Sequence, residues 1–481
     1  MALSRRRMVQ GCAALAGAVI AASARPRKFP PRDFPITRFG AKGDGSSDAT
    51  AAIAAAIAAC QRAGGGRVVV PEGEFATGPI ELLAGVELHL EAGATLRFST
   101  DPWRYPLVLT RYEGIELMNY APLVRAYGQR DIAITGAGTL DGGADWDHWW
   151  NWTGKHAGED RGMARAPASA QRGGLSPRTQ DADRALLGRM AERGVPVERR
   201  VFGPGHYLRP QFIQPYRCEN VLIEGVRLRR SPMYHLHPVL CRNVTVRGLD
   251  IESAGPNTDG CDPESCDGVL IEHCRFATGD DCIALKSGRN ADGRRLHTPV
   301  RNVVIRNCRM ERGHGAVTIG SEISGGARNI LAADCRVGAA VMTALRVKNN
   351  AMRGGWIENI RARDISVLRT LEAGITIDFL YEEGAAGPYT PVCRHVRVEK
   401  MTAARCRRAL ELRGLPRAPI EDVVLSDCVF QEADEPSVIR DVRGLRLLEV
   451  RVNGKPMKAG ETASGGPGGG EGEGAAKSRE L

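Results

Sequence analysis

The chain has 481 residues, 43% of them hydrophobic and 25% charged, with 57 glycines and a formal net charge of +10. That balance is globular and excludes a disordered or collagenous chain, while the surplus of basic residues suits an anionic partner, either nucleic acid or an acidic polymer. The longest apolar run, residues 11–22, is too short for a membrane helix, which needs roughly 20 residues.

That run follows Arg5, Arg6 and Arg7 and precedes Ala22-Ser23-Ala24, the three parts of an export signal over residues 1–24. Ser4-Arg5-Arg6-Arg7-Met8 also resembles a twin-arginine signal, so a periplasmic or secreted protein is expected. Export favours an acidic polymer over nucleic acid as the partner. Next, Asp44–Asp48 (DGSSD) is positioned to cap an alanine-rich helix over 49–62. Strands are expected at 67–70 and 86–90. Residues 142–208 carry no strand pattern and hold Trp146, Trp149, Trp150 and Trp152; either this insertion contributes a binding face or its tryptophans only anchor it. A short amphipathic helix is expected at 180–194, and residues 461–481, rich in Gly, Glu and Ser, read as a disordered tail.

From residue 218 onward the chain repeats itself: CENVLIEGV, CRNVTVRGL, CDGVLIEHC, VRNVVIRNC, ARNILAADC, IENIRARDI, CRHVRVEKM, IEDVVLSDC and VRGLRLLEV. The anchors are Val221, Val244, Val269, Val303, Ile330, Ile360, Val396, Val423 and Leu445. Each segment alternates apolar and polar residues, the period of a half-buried strand. Repeats of 22 or more residues built from short strands predict an all-β chain wound as a parallel β-helix over residues 30–457, with like positions stacked about 4.8 Å apart. The N-terminal helix would cover the open edge. Cys274, Cys308, Cys335 and Cys428 share a column that sibling coils fill with Val, Leu, Ile or Met. They are expected as small buried hydrophobes, although Cys308 and Cys335 would be close enough to pair.

The same arithmetic gathers chemistry. Asn257-Thr258-Asp259-Gly260 and Gly279-Asp280-Asp281-Cys282 place Asp259 and Asp281 one short coil apart. Two stacked carboxylates repel, which raises at least one pKa and lets an acid hold its proton near neutral pH. His314 stands eleven residues past Val303, as Asp280 does past Val269. Arg346 and Lys348 share one face of a strand between inward Leu345 and Val347, and Lys286 falls in the Lys348 column two coils away. Alternation from Ile283 would aim Asp281 inward, so the pair has to lie in the turn before that strand.

NTDG (257–260), GDD (279–281), GHG (313–315) and RVK (346–348), in this order, resemble the polygalacturonase family of glycoside hydrolases, and FGAKGDGSSDATAAI resembles the N-terminal segment of pectin-degrading β-helices. The phrases TGDDCIALKSGR and GHGAVTIGSEISGG are similar to a bacterial branch with exo-acting members. The resemblance implies a right-handed β-helix that hydrolyses α-1,4-galacturonosyl bonds with inversion and without a metal or other cofactor. It implies Asp280 as general acid, Asp259 and Asp281 as the pair that activates water, and His314 as the group that sets the protonation of the acid. Asn257, Arg346, Lys348, Lys286 and Tyr381 would line the substrate, a pectic polysaccharide or oligogalacturonide. Two other readings remain open: a lyase of the same fold with calcium held by Asp259, Asp262 and Asp281, and a non-catalytic carbohydrate-binding β-helix. One-coil spacing lies nearer the retaining distance of about 5–5.5 Å than the inverting one, so residues and resemblance point to different stereochemistry.

Overall fold

The computed structural model describes residues 29–154 and 179–458. The expected export signal and tail, and the middle of the 142–208 insertion, lie outside the described residues. Successive coils form a right-handed parallel β-helix with one sheet of 14 strands and another of 16. A third, narrower sheet starts with Ile80–Glu81, Val124–Tyr127 and Ile213–Tyr216. Single bridges continue it from Ile213 to Leu236, Cys261 and Ile283. It merges with the second sheet where Ala284 pairs with Thr318.

The expected register is the observed one. Val221 pairs with Val244, Val244 with Val269, Val269 with Val303 and Val303 with Ile330; Ile360, Val396 and Val423 follow. The residue before each anchor adopts a left-handed conformation, as at Asn302 (φ 56), Asn329 (φ 57) and Asn359 (φ 58). Asparagine tolerates this region because its short amide bonds locally. Here the amides also bond to each other: Asn329 Nδ2 donates to Asn302 Oδ1 at 3.0 Å, and Asn359 Nδ2 to Asn329 Oδ1 at 2.6 Å. This ladder explains the Asn that recurs in the repeats and turns the chain within the strands that hold Asn302, Asn329 and Asn359.

All twelve cysteines among the described residues are buried and free, including Cys308 and Cys335. Val226, Leu249, Cys274, Cys308, Cys335, Ile365, Met401, Cys428 and Val450 form one buried column. Thiols there act as small apolar side chains.

Helix α1 (Thr50–Arg62) buries Ala52, Ile53, Ala56, Ile57 and Cys60 against the first coils. The DGSSD segment is itself a strand, Asp44–Asp48. Only Asp48 serves the helix, accepting from the Thr50 backbone N–H at 3.0 Å, while Asp44 accepts from Ser46 and Ser47 within its own turn. Helix α2 (Gln180–Glu192) ends slightly earlier than expected. Trp149 and Trp150 are buried, and Trp150 Nε1 donates to the Ser231 carbonyl at 2.9 Å. The anchoring reading of the tryptophans therefore holds for these two.

An antiparallel hairpin, Leu107–Tyr112 with Ile115–Tyr120, was not expected. Its two-residue turn, Glu113 (φ 43) and Gly114 (φ 79), has the double positive φ of a type I′ turn. Such turns normally announce themselves by Asn-Gly or Asp-Gly, and Glu-Gly lacks that signal. The hairpin crosses the third sheet. Arg111 pairs with Glu264 at 3.1 Å with neither side chain exposed, and Glu116 N–H donates to Asp292 in helix α3 (Asn290–Leu296) at 2.8 Å.

Asn329→Ala removes two amide bonds and places alanine at positive φ. Its expected cost is about 2–4 kcal/mol in urea unfolding, and Asn329→Gly should recover the backbone share. Cys308→Val, which copies sibling coils, should cost less than about 1.5 kcal/mol.

Candidate active site

The site stands where the second sheet turns into the third. Gly260 N–H donates to the Asp281 carbonyl at 3.0 Å, so Asp259 sits beside Asp281. His314 N–H donates to the Asp280 carbonyl at 3.0 Å, which seats His314 beside Asp280. One coil further, Thr318 pairs with Arg346 and Ile319 with Val347, placing Lys348 two coils from Lys286. Carboxylate oxygens of Asp259, Asp280 and Asp281 come within 4.8 Å of one another. Asp280 and Asp281 occupy the turn before strand Ala284–Leu285, as alternation required. The approach is close enough that a Cβ on Gly315 would meet Asp281 Oδ1 at 2.8 Å and Thr318 Oγ1 at 2.0 Å.

Each acid has a different neighbour. Asp281 is buried and receives the Lys348 ammonium at 2.7 Å. Burial disfavours the charge on Lys348, but Asp281 and Tyr381 outweigh it and hold the lysine above its ordinary value. Asp280 meets His314 Nδ1 at 2.9 Å. Burial opposes charge on this carboxyl too, yet His314, Lys348 and Lys286 hold it well below the usual carboxylate range. His314 moves in the opposite direction: burial lowers it, and Asp280 more than compensates, leaving it raised. Asp259 is the acid that crowding protonates. Desolvation, then repulsion from Asp262 and Asp280, raises it well above the ordinary value. The raised acid expected from the stacking is thus Asp259, whereas Asp280 is held towards its ionised form by His314.

The candidate binding residues divide. Arg346 has no ion pair or side-chain hydrogen bond among the described residues; its guanidinium lies 5.9 Å from the Tyr381 ring, which also meets Lys348 at 5.3 Å. Arg346, Lys348 and Tyr381 therefore form one group beside the acids. Asn257 Oδ1 accepts from Arg209 at 2.7 Å, and Arg209 also reaches Gln180 of α2, tying the insertion to the site. Lys286, also expected to line the substrate, is held among acids. It is 3% exposed, and its ammonium contacts Glu322 at 3.0 Å, Asp262 at 3.5 Å and Asp259 at 3.9 Å. Lys286 and Lys348 already place two ammonium charges against Asp259, Asp262 and Asp281, an arrangement that does not fit the calcium expected of a lyase.

Sequence reasoning missed Glu322 and Arg289. Arg289 bridges Glu113 at the hairpin tip and Glu382 after Tyr381, both at 3.3 Å. Glu113 lies in the hairpin turn and Arg289, Glu322 and Glu382 in irregular segments, where no periodicity predicts a neighbour.

Residues 205–428 match the family described as glycosyl hydrolases family 28, and residues 34–92 match rhamnogalacturonase A/epimerase, pectate lyase-like. The chain is 43% identical to a hyperthermoactive exopolygalacturonase from Thermotoga maritima, covering 92% of this chain and 96% of that one with a TM-score of 0.86. It belongs to glycosyl hydrolase family 28. The family 28 chain is also 27% identical to a "Probable polygalacturonase" of Vitis vinifera, over 85% of this chain and 77% of the relative. It is 26% identical to the exo-poly-alpha-D-galacturonosidase of Dickeya chrysanthemi, over 89% and 73%.

The Asp280–His314 pair makes a pH prediction for this family 28 protein. The raised His314 stabilises the fold fully below its unfolded value and loses that contribution as pH rises through its folded one. The depressed Asp280 stabilises above its unfolded value and loses its contribution as pH falls. The destabilisation caused by His314→Gln should therefore be largest between roughly pH 3.9 and 6.5 and shrink on both sides, measured by urea unfolding without substrate.

Proposed function

We propose that this family 28 enzyme is an exo-acting polygalacturonase that hydrolyses α-1,4-galacturonosyl bonds of unesterified pectic chains. The observation that carries the reading is the convergence of three carboxylates beside a cationic group, Arg346 and Lys348, of which Arg346 makes no ion pair or side-chain hydrogen bond among the described residues. A galacturonate carboxylate would supply that partner, with the two-pronged geometry a guanidinium prefers.

In the reaction, Asp280 gives a proton to the glycosidic oxygen as its bond to the anomeric carbon breaks. Water bonds to that carbon and loses a proton to the Asp259–Asp281 pair. In the free site Asp280 is lowered and His314 raised, so the pair favours its proton on His314. A sugar that covers the pair removes water, and desolvation favours the neutral form of both partners, moving the proton onto Asp280 where it is needed. Asp280→Ala should lower kcat by 10²-fold or more, the usual scale for a general acid.

The exo assignment is supported by the hairpin and α2, which build a wall over the coils preceding the site, joined through Arg184–Glu113 at 2.8 Å and Arg289–Glu113. Polygalacturonate should release short product while its viscosity stays high. An early fall in viscosity would mean endo action, and a product absorbing in the ultraviolet as a 4,5-unsaturated uronate would mean a lyase. The arginines before the apolar run support export. Removal of residues 1–24 should retain the activity inside the producing cell, and continued appearance outside it would refute export by this segment.

A further inference from the structure

Lys286 is a charged side chain almost without solvent, placed one layer beneath the acids. Its ammonium serves three carboxylates, Glu322 at 3.0 Å, Asp262 at 3.5 Å and Asp259 at 3.9 Å, and it lies 4.9 Å from the Tyr234 ring. Three acids around one buried cation cannot all be ionised cheaply. Asp262 shows the strain: it is fully buried, and burial raises its carboxyl well above the ordinary value despite Lys286 and a hydrogen bond with Asp259. Glu322 is different. Burial disfavours its charge, but Lys286, Arg289 and Arg353 hold it well below the ordinary range, so it stays ionised and is the strongest claimant on the lysine.

We propose that Lys286 is a positioning residue for hydrolysis, and that its division between Glu322 and Asp259 sets how readily Asp259 becomes the carboxylate that takes a proton from water. The inference rests on the reading of Asp259 as a water-activating acid in the reaction above. Asp259 is faced by Asp262 on its own turn, by Asp280 and Asp281 from the next coil, and by Lys286. On the preceding coil, His235 N–H donates to the Asp259 carbonyl at 2.9 Å, fixing the backbone. Lys286 is faced by Glu322 from the following coil and by Tyr234 from two coils before; Arg289 and Arg353 stand behind Glu322. Among these groups Lys286 is the cation that an Asp259 carboxylate touches.

The arrangement predicts opposite effects from two substitutions. Lys286→Met removes the cation that favours ionised Asp259. Glu322→Gln removes the acid that competes for that cation. The readout is the acid limb of the kcat/KM–pH profile on unesterified polygalacturonate, which reports the free enzyme. Lys286→Met should move this limb upward by on the order of one pH unit and lower activity on the acid side at least tenfold. Glu322→Gln should move it downward, and Lys286→Arg should keep it close to the parent enzyme. Limbs that stay in place, or that move in the same direction in Lys286→Met and Glu322→Gln, overturn the proposal. Should Lys286→Met not fold, an unmoved limb in Glu322→Gln overturns it alone. If the parent enzyme releases no saturated galacturonate or short oligogalacturonide, the hydrolase reading fails instead, so the two failures are distinguishable.

Discussion

Parallel pairing between successive coils sets the distances on which the remaining chemistry depends. It holds equivalent backbone atoms about 4.8 Å apart, so a residue's lateral neighbour is decided by coil length. Asp259 meets Asp281, and His314 meets Asp280, because the bonds from Gly260 to the Asp281 carbonyl and from His314 to the Asp280 carbonyl leave no other register. Slippage by one residue would turn the side chains to the opposite face. The Asn302–Asn329–Asn359 ladder and the buried thiol-containing column hold that register from two sides of the coil. The stability of the solenoid and the geometry of the site are therefore one property.

Charge is what this register concentrates. Asp259, Asp262, Asp280, Asp281 and Glu322 stand in a small volume with Lys286, Lys348 and His314 between them. The acids differ in the cation each one meets, not in their own chemistry. Lys348 holds Asp281, His314 holds Asp280, and Asp259 shares a lysine with two competitors. Arg346 makes no ion pair among the described residues, although Asp281 is near enough to favour its charge, and its guanidinium is available to an anionic substrate. A buried group with an uncompensated charge is costly, and in this site the cost falls on the residues that handle protons.

The fold was legible from residue 218 onward because a half-buried strand writes period two into the sequence and a coil repeats it. Asp280 and His314 could be placed by counting, since each lies eleven residues past its own anchor, and Asp259 and Asp281 by their separation of 22 residues, one short coil, while alternation along the strand placed Arg346 and Lys348 on one face. Lys286 was placed correctly in its column, but its surroundings were not: Glu322 and Asp262 approach it from turns, and burial by later coils cannot be counted from an anchor. The hairpin was missed for a local reason, an Glu-Gly turn that lacks the usual Asn or Asp. Its partners Glu264, Arg289 and Asp292 lie more than 150 residues away in sequence, and pairing at that range leaves no periodic trace. The insertion helix was visible because α2 carries its own amphipathic pattern, whereas its link to Asn257 through Arg209 was not.

The central claim is that acids stacked at one-coil spacing carry out a single displacement by water, as family 28 membership implies, although carboxylate oxygens within 4.8 Å of one another lie closer than the roughly 6.5–9.5 Å of most inverting pairs. The configuration of the first product formed tests it most directly. Proton magnetic resonance recorded during the first moments of hydrolysis, before mutarotation, should show the β-anomer of the newly exposed reducing end. Initial accumulation of the α-anomer would mean retention through a covalent intermediate and would contradict the account.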